Sequence, residues 1–412
     1  MPLNRDIVIT GIGPLLPGCD DRDTFWRQVR DGESQLTMES DPCAAGGRIP
    51  LGLIRDFNPR RYLRDIPERL YHRFVRAQQL YLASLARACD DAGLAGERLC
   101  SDRVGLFDGT SRDNIAVWQS GAPSGPEAKH ALAAGMGGMG VCLGASLLGV
   151  RGPTYTFVSS CASGVVAMGH ALRELQLGEI DVALSTGHDA ILPTPVLRTF
   201  RDAGLLNQHQ GDARQALRPY GGSRNVFGEG AVTMALETRA HAEARGAHVL
   251  ARLAGYRYGN GGDHPTRVDE SGERPAQLIE EALERSGVSR DEVGFVLGHG
   301  NGVAMSDRSE LEYMRRVFGE RVHEVPLIST KPIYGHTLGA SGMVNAAAAA
   351  LMLRHQRLIP TINVDETRPY TDVTHQAGRG AARRCEAGVV VCFGIGGQNA
   401  VLVLRREQAD GL

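Results

Sequence analysis

Apolar residues along this chain fall into two alternating patterns. Short continuous runs, such as the one that starts at Ile7 and the one at Val293–Leu297, are typical of strands that are buried on both faces. Between these runs apolar residues recur every three or four positions, and this spacing ends at glycines such as Gly93 and Gly178, as it does in amphipathic helices. The alternation predicts an α/β fold in which helices cover both faces of the sheets.

These patterns predict elements throughout the chain. Strands are predicted at residues 6–12, 104–107, 154–158 (a buried strand), 181–186, 249–258, 293–297 and 326–329, at the end of a glycine turn in 218–237, and twice within 387–405. Helices are predicted at residues 24–29, 69–92, 165–178, 238–245, 274–286, 309–318 and 344–354. Residues 33–68 are predicted to be irregular, and residues 109–140 to be neither a linker nor a clear helix. A second series of elements begins near residue 250, which predicts two halves, residues 1–248 and 249–412.

Composition and charge argue against several classes of protein. The net charge of −2 gives no electrostatic basis for binding nucleic acid. The eight cysteines show no CxxC or CxxH spacing, which argues against a disulfide scaffold and predicts no metal site. No run approaches the roughly 18 apolar residues of a membrane span, and no signal peptide is visible. We therefore expect a protein of the reducing cytoplasm that does not bind a membrane.

Cys161 is a candidate nucleophile because of the turn that is predicted around it. A predicted strand is followed by five small residues, SSCAS at 159–163, and by Gly164 before the helical spacing begins. Small neighbours allow a tight turn that leaves the sulfur open to a substrate, and a helix N-terminus favours thiolate over thiol. Cysteines are also among the most frequently buried residues, so this stretch alone leaves a nucleophile and a structural cysteine equally open.

Three glycine-rich loops carry further candidate chemistry. GHGNGVAMSDRSE at 298–310 places His299 between two glycines after a predicted strand, and STKPIYGHTLGASG at 329–342 contains Lys331 and His336. VCFGIGGQN at 391–399 is either a functional loop or simply a turn between two strands. Any one of the 13 histidines is more often a surface or core residue than a catalyst, but these two lie in glycine-framed loops, where a ring can be exposed at a site.

Five motifs, taken in order, resemble those of the beta-ketoacyl-ACP synthase family, the condensing enzymes of the thiolase superfamily. They are SSCASG at 159–164, RPxxxxRxxFGEGA at 218–231, HGxxxxxxDxxE at 299–310, KPxxGHxxGASG at 331–342 and FGxGGxN at 393–399. The resemblance runs along nearly the whole chain. It is closest to type II fatty-acid synthases and to the ketosynthase subunits of type II polyketide synthases. It implies a thiolase-like fold, with duplicated βαβ halves in alternating helix and sheet layers, and a dimer.

The resemblance also implies a reaction, the decarboxylative Claisen condensation of an acyl group with a malonyl carrier protein. Cys161 would hold the acyl group as a thioester, and the backbone N–H groups of Cys161 and Phe393 would form the oxyanion hole. His299 and His336, as neutral donors, would stabilise the enolate that decarboxylation leaves. Lys331 would orient this site and tune its field, and Phe393 would act as a gate.

Supporting positions follow from the same motifs. The resemblance assigns Gly394 to the oxyanion hole and gate, Asn301, Val303, Arg112 and Ile395 to substrate binding, and Asp307, Glu310 and Asn345 to structural support. It implies no bound cofactor, because the phosphopantetheine arrives on the acyl carrier protein. The second expected partner is another subunit, either an identical chain or a chain-length factor.

Four positions depart from the family pattern. Asn301 and Val303 replace threonines that contact pantetheine in relatives, and Asn345 replaces a glutamate, so we expect Lys331 to lack its usual anionic partner. Arg112 falls where relatives place small or apolar residues at the far end of the acyl pocket, and a charge there costs free energy unless it is paired. It indicates a short or polar acyl chain, a carboxylate from a partner subunit, or a shifted alignment. The departures favour a specialised polyketide or polyene pathway over housekeeping fatty-acid synthesis.

Other functions stay open at this level. A thiolase carries a second cysteine close to where Cys392 lies, although the motifs at His299 and Lys331 favour a synthase. A synthase-like acyltransferase would load Cys161 and transfer the acyl group without decarboxylation. A non-catalytic chain-length factor is disfavoured because Cys161 and both histidines are present. A synthase subunit that is active only with such a factor is a further alternative.

Overall fold

The computed structural model describes residues 5–64, 66, 74–94, 96, 99–112, 115–118, 135–190, 194–262, 264–364 and 372–407. Its strands are β1 (Ile7–Leu15), β2 (Thr37–Ser40), β3 (Arg48–Gly52), β4 (Val104–Thr110), β5 (Thr154–Phe157), β6 (Val182–Asp189), β7 (Phe227–Gly228), β8 (Gly230–Thr238), β9 (Ala251–Asn260), β10 (Val293–Leu297), β11 (Leu327–Ile328), β12 (Ala387–Gly394) and β13 (Gln398–Arg405). Its helices are α1 (Arg22–Asp31), α2 (Arg76–Ala92), α3 (Ile115–Trp118), α4 (Met139–Leu148), α5 (Ser163–Leu177), α6 (Thr194–Asp202), α7 (Arg239–Ala244), α8 (Glu273–Ser286), α9 (Ala304–Phe318), α10 (Lys331–Tyr334) and α11 (Ser341–His355). The chain thus alternates between strands and helices, and the α/β prediction is confirmed.

The main sheet repeats one topology twice. Its strand order is β11–β10–β12–β13–β9–β1–β8–β6–β4–β5. Each half contributes five strands to this sheet, β1, β4, β5, β6 and β8 in the N-terminal half and β9 to β13 in the C-terminal half. Counted along the chain, the first strand of each half pairs with the fifth, and the fifth with the fourth, both antiparallel. The fourth pairs with the second, and the second with the third, both parallel. The halves join where β1 and β9 pair, with Val8 opposite Arg252. The duplication expected from the resemblance is therefore present. A domain boundary at residues 248 and 249, between α7 and β9, stays a prediction.

Two helices form the centre of the molecule. α5 and α11 are buried along nearly their whole length, and both contact strands of both halves. Five successive alanines at 346–350 in α11 are fully buried, and their small side chains allow close packing. α2 and α4 pack on the outer face of the N-terminal half, and α8 and α9 pack on that of the C-terminal half. Both central helices begin at loops that carry candidate residues, Cys161 and His336.

Several predicted elements need correction. Residues 33–68 are not wholly irregular, because β2 and β3 form a small sheet with the distant β7. α2 begins at Arg76, whereas the predicted helix began at residue 69, and residues 69–73 lie outside the described residues. Residues 119–134 of the stretch 109–140 also lie outside the described residues. β5 is not a buried strand, since Tyr155 is 42% exposed at the edge of the sheet. α6 and α4 were not predicted. Among the described residues, no helix is long and apolar enough to cross a membrane.

Candidate active site

Cys161 lies on the strand-to-helix turn that the sequence predicts. A 3-10 turn, Ser160–Ala162, follows β5 and leads directly into α5. Ser160 adopts a left-handed φ of 53°, which is uncommon for a residue other than glycine. The Ser163 hydroxyl holds the turn, because it lies 2.6 Å from the carbonyl oxygen of Ser160 and 3.0 Å from that of Thr110.

The electrostatic expectation for Cys161 is wrong. The residue is only 6% exposed, and burial is the largest influence on its thiol and raises its pKa. The positive charges of Lys331 and Arg112 act in the opposite direction but do not reverse the shift. In the resting site the sulfur is therefore held as a thiol, and a neighbouring base must take its proton.

His336 contacts that thiol. Its Nε2 atom lies 3.1 Å from Cys161 Sγ, and its Nδ1 atom lies 2.7 Å from the Ser341 hydroxyl. Burial, and then the charge of Lys331, hold the His336 pKa well below its ordinary value, so the ring is neutral at pH 7. The FGEGA motif fixes the loop: the Phe227 ring stacks on His336 at 5.8 Å, and the Gly228 N–H donates to the His336 carbonyl at 3.0 Å.

His299 faces His336 across the same site. The two ring centres are 5.1 Å apart, with the planes at 89°. Burial is the largest influence on His299, followed by the charges of Lys331 and His336, and together they hold its pKa well below the usual value. The Lys331 ammonium donates a hydrogen bond to the carbonyl oxygen of His299. Two neutral rings with a cation behind them can therefore stabilise negative charge between them.

Glu310 and Asp307 lie on one face of α9 and hold the His299 loop from beneath. The Glu310 carboxylate accepts the backbone N–H of His299 at 2.8 Å and of Gly300 at 2.5 Å. Burial raises the Glu310 pKa to about 7. Asp307 accepts the N–H of Gly302 at 3.2 Å, and burial, followed by the nearby Glu310, raises its pKa. The spacing between His299 and these two acids thus serves the shape of the loop.

Asn345 binds backbone and a threonine, and does not bind the lysine. Its amide donates to the Gly298 carbonyl at 2.8 Å and accepts from the Thr330 hydroxyl at 2.7 Å. Burial lowers the Lys331 pKa, while Cys392 and Glu310 oppose the shift. Among the acidic residues, Glu310 on α9 therefore raises the Lys331 pKa most. On α11, the position of Asn345 carries no acid that could bind Lys331.

A cavity of about 140 Å³ brings the candidates together. It is lined by Cys161, His299, His336, Phe393, Gly394, Ile395, Asn301 and Val303, and also by Phe200, Leu205, Asn225, Phe227, Thr266, Val268, Met305 and Ser306. The Asn301 side-chain oxygen accepts the Val303 N–H at 3.1 Å. A Cβ atom on Gly394 would lie 2.8 Å from the Ser159 carbonyl oxygen, so only glycine lets this loop approach the Cys161 turn closely.

Two of the catalytic and substrate-binding candidates lie outside the lining of this cavity, as do the supporting residues Asp307, Glu310 and Asn345. Lys331 is behind His299, as described above. Arg112 is behind Phe200, with its guanidinium carbon 5.5 Å from the centre of the Phe200 ring. Lys331 thus acts on the site through its charge, and Arg112 lies next to a wall residue.

Cys392 is close to the site but is not placed as a second base. Its thiol lies 3.1 Å from the Cys161 carbonyl oxygen and 4.0 Å from Nδ1 of His299. Burial raises its pKa to about 12, and it does not belong to the cavity lining described above. These features argue against a thiolase, which would need a second reactive cysteine facing the substrate.

Sequence reasoning missed three kinds of residue in the site. Ser341 binds His336 and is part of the quoted GASG motif, so its position next to the histidine loop was the available signal. Phe200 and Phe227 form walls of the cavity. Phe227 belongs to the quoted FGEGA motif, which was the available signal, but nothing in the local pattern of Phe200 distinguishes it from a core residue. Asp189 is fully buried, and its carboxylate accepts the N–H of Gly339 at 2.6 Å, which ties the end of β6 to the histidine loop.

Comparison with known proteins agrees with this geometry. Residues 4–242 match the family model of the beta-ketoacyl synthase N-terminal domain, and residues 250–365 match that of the C-terminal domain. The chain is 30% identical to a putative polyketide beta-ketoacyl synthase 1 of Streptomyces halstedii, over 98% of each chain. It is 28% identical to 3-oxoacyl-[acyl-carrier-protein] synthase 2 of Vibrio harveyi, over 98% of this chain and 99% of the relative.

A solved structure shows the same architecture. The ishigamide ketosynthase/chain length factor superposes with a TM-score of 0.88 at 27% identity, over 98% of this chain and 100% of that one. The match confirms the thiolase-like fold. Among the described residues, no group of three or more His, Cys, Asp or Glu side chains is arranged to hold a metal ion.

Proposed function

Because the chain belongs to the beta-ketoacyl synthase family, we propose that it is a 3-oxoacyl-[acyl-carrier-protein] synthase that condenses an acyl group on Cys161 with a malonyl carrier protein. The observation that carries the proposal is the contact of 3.1 Å between His336 Nε2 and Cys161 Sγ, with the His299 ring 5.1 Å from that of His336. One cavity therefore holds a nucleophile and two neutral imidazoles.

In the first half of the reaction Cys161 takes the acyl group. His336 accepts the thiol proton, the sulfur attacks the thioester carbonyl of an acyl carrier protein, and the carrier thiol leaves with a proton. The backbone N–H groups of Cys161 and Phe393 bind the oxyanion of the tetrahedral intermediate. Gly394 supports this arrangement because its loop contacts the Cys161 turn at Ser159.

In the second half the malonyl group loses carbon dioxide. The bond between its carboxylate and its α-carbon breaks, and the electron pair enters an enolate whose oxygen accepts hydrogen bonds from His299 and His336. The α-carbon then attacks the acyl thioester, and the Cys161 thiolate leaves. Lys331 stabilises the negative charge from behind His299, and Asn301 and Val303 lie along the cavity, where we place the pantetheine arm. No bound cofactor takes part.

The proposed setting is polyketide or fatty-acid biosynthesis in the cytoplasm. One relative named as a polyketide beta-ketoacyl synthase and one named as a 3-oxoacyl-[acyl-carrier-protein] synthase match the chain along nearly its whole length. The proposed partners are an acyl carrier protein and a second synthase-like subunit. An exposed apolar edge at β5, where Tyr155 is 42% and Val158 63% exposed, supports a second subunit, either an identical chain or a chain-length factor.

Intact-protein mass spectrometry tests the proposal. The chain is mixed with acyl carrier proteins of several chain lengths, and malonyl carrier protein is then added. We expect the acyl mass to appear on Cys161 and then to leave as a product two carbons longer, with release of carbon dioxide. Cys161→Ala should abolish loading, whereas Cys142→Ala, which removes an exposed thiol, should load normally.

Other outcomes would point to the alternatives. His299→Ala should still acylate but lose decarboxylation by at least about a hundredfold, as expected for a lost transition-state donor. Acylation followed by transfer to an alcohol or amine, without release of carbon dioxide, would indicate an acyltransferase. A bare Cys161 with every donor, with and without a chain-length factor, would contradict the synthase proposal.

A further inference from the structure

Arg112 carries a charge that the proposed reaction does not use. It lies two residues after the end of β4, and its backbone N–H donates to the Asp189 carboxylate at 3.1 Å. Its guanidinium lies over the ring of Phe200, 5.5 Å from the ring centre. Phe200 is a wall of the cavity that contains Cys161. A positive charge therefore lies directly behind the wall of the acyl site.

The side chain of Arg112 is half-buried, and no acid among the described residues forms an ion pair with it. Within the part of the chain that the structure describes, its Nε atom is buried and has no hydrogen-bond acceptor. The carboxylate of Asp189 binds the backbone of Arg112 and not its guanidinium. Another partly buried arginine is different, because Arg76 forms two hydrogen bonds with Glu229, at 2.7 and 2.6 Å. A buried guanidinium nitrogen without an acceptor costs free energy that a ligand with acceptor oxygens can recover.

The surroundings of Phe200 restrict what such a ligand can be. Phe200 packs in an apolar cluster with Cys161, Leu197, Phe227 and Leu338. This cluster suits the methylene part of an acyl chain. An acyl chain on Cys161 that displaced or passed the Phe200 ring would place its far end against the guanidinium of Arg112, because that guanidinium lies over the ring.

We infer that Arg112 selects acyl groups that carry acceptor oxygens at the end remote from the thioester, and that its preferred substrate is a carboxylate-ended acyl chain. The inference rests on the proposed function, because it names the substrate class of the same site. A guanidinium presents a planar fork of donors that binds a carboxylate through two hydrogen bonds. The Phe200 ring would hold this fork in place through its contact with the cation.

Matched thioesters test the inference. Pantetheine thioesters are prepared in pairs that differ only at the far end, methyl or carboxylate: butyryl with succinyl, hexanoyl with adipoyl, and octanoyl with suberoyl. The monomethyl ester of each diacid separates the effect of charge from that of a carbonyl oxygen. The rate of Cys161 acylation is measured by intact mass for the wild type and for Arg112→Met, Arg112→Lys and Arg198→Met. Arg198 is an exposed arginine on α6 and serves as the matched control.

At one chain length or more we expect the wild type to load the carboxylate-ended member at least about tenfold faster than its methyl-ended pair. Arg112→Met should reverse this preference, Arg112→Lys should keep part of it, and Arg198→Met should keep all of it. A purely structural role, in which Arg112 only holds Phe200, predicts that Arg112→Met slows both members equally, and this would overturn the inference.

Three further results would overturn it and are distinguishable. If the wild type loads every methyl-ended chain and no carboxylate-ended one, the proposed synthase stands and the selectivity of Arg112 is wrong. If Arg112→Met changes the oligomeric state in light scattering but leaves the acyl preference within about twofold, the partner of Arg112 is a carboxylate of a second subunit. If Cys161 loads no thioester of either kind, the proposed function fails together with the inference.

Discussion

At the scale of single residues, the tautomer of His336 depends on one hydroxyl group. The Ser341 Oγ atom lies 2.7 Å from Nδ1 of His336 and 3.2 Å from the Thr337 hydroxyl. When Thr337 donates to Ser341 and Ser341 donates to Nδ1, the proton of the neutral ring lies on Nε2, where it can bind an oxyanion. Loading of Cys161 needs the other tautomer, in which Nδ1–H donates to Ser341 and the free Nε2 accepts the thiol proton. Ser341 is therefore a positioning residue for the decarboxylation step.

Replacing Ser341 with alanine should slow decarboxylation without preventing loading. Loss of a hydrogen bond worth about 1 kcal/mol changes the population of the active tautomer, so we expect kcat for carbon dioxide release to fall roughly fivefold to tenfold. Ser341→Thr keeps the hydroxyl and should recover most of the rate. The measurement is release of labelled carbon dioxide from malonyl carrier protein over a range of pH. An unchanged rate in Ser341→Ala would show that the tautomer is fixed by other contacts.

The sequence predicted which residues form the site better than it predicted their protonation states. Cys161, His299 and His336 lie in quoted motifs, because glycines and small residues mark tight loops, and the structure brings all three into one cavity. The protonation of Cys161 was not predictable, since a local pattern shows the helix that follows but not the burial that raises the thiol pKa. Phe200 was invisible for the same reason, because its contact with Arg112 is purely tertiary.

At the scale of secondary-structure elements, α9 acts as the support of the His299 loop. Glu310 places both carboxylate oxygens on backbone N–H groups of that loop, and the hydroxyls of Tyr220 and Tyr313 each lie 3.3 Å from Oε2. Burial raises the Glu310 pKa from 4.5 to about 7. A group whose pKa is raised on folding contributes stability that is fully present below its unfolded pKa. That contribution is lost as the pH rises through the folded pKa.

Glu310→Gln should therefore destabilise the protein most at acidic pH. The glutamine does not titrate, so the wild type should lose stability relative to the variant as the pH rises. The difference in free energy of unfolding between the two proteins should decrease from about pH 4.5 towards pH 7 and should change little above pH 7. The measurement is the difference in thermal midpoint between the two proteins at several pH values, which removes the contribution of the other titrating groups. A difference that grows with pH would mean that Glu310 is held as an anion by Lys331.

Elements were predicted well where the signal is local. β10 has the predicted bounds, and α5 ends at Gly178, whose φ is 82°, as the glycine indicated. The failures are elements that depend on distant partners. β2 and β3 are short, and β3 pairs with β7, which has only two residues. Neither β2 nor β3 has a periodicity that is long enough to be recognised. The exposure of β5 depends on its place at the sheet edge, which no local pattern gives.

At the scale of the whole molecule, the two halves share a topology but differ at their outer edges. The edge strand of the C-terminal half, β11, is two residues long and buried. The edge strand of the N-terminal half, β5, exposes Tyr155 at 42%, and Val158, directly after it, is 63% exposed. Other exposed apolar side chains include Met136 at 55% and Leu147 at 43%, the latter on α4, which contacts β5. An exposed strand edge with apolar side chains is a site for pairing with another chain.

We predict that the chain forms a dimer through β5. Val158→Glu places a charge in the interface and Tyr155→Arg removes an apolar contact, so the double variant should convert the dimer into a monomer. Leu177→Glu, which changes an apolar residue that is 64% exposed at the end of α5, serves as the control and should leave the dimer intact. The measurement is molar mass by light scattering, with circular dichroism to show that the variants remain folded. The wild type could be a monomer that pairs only with a chain-length factor, through the same two residues, and this would show that β5 binds a different subunit. A dimer that survives the double variant would place the interface elsewhere.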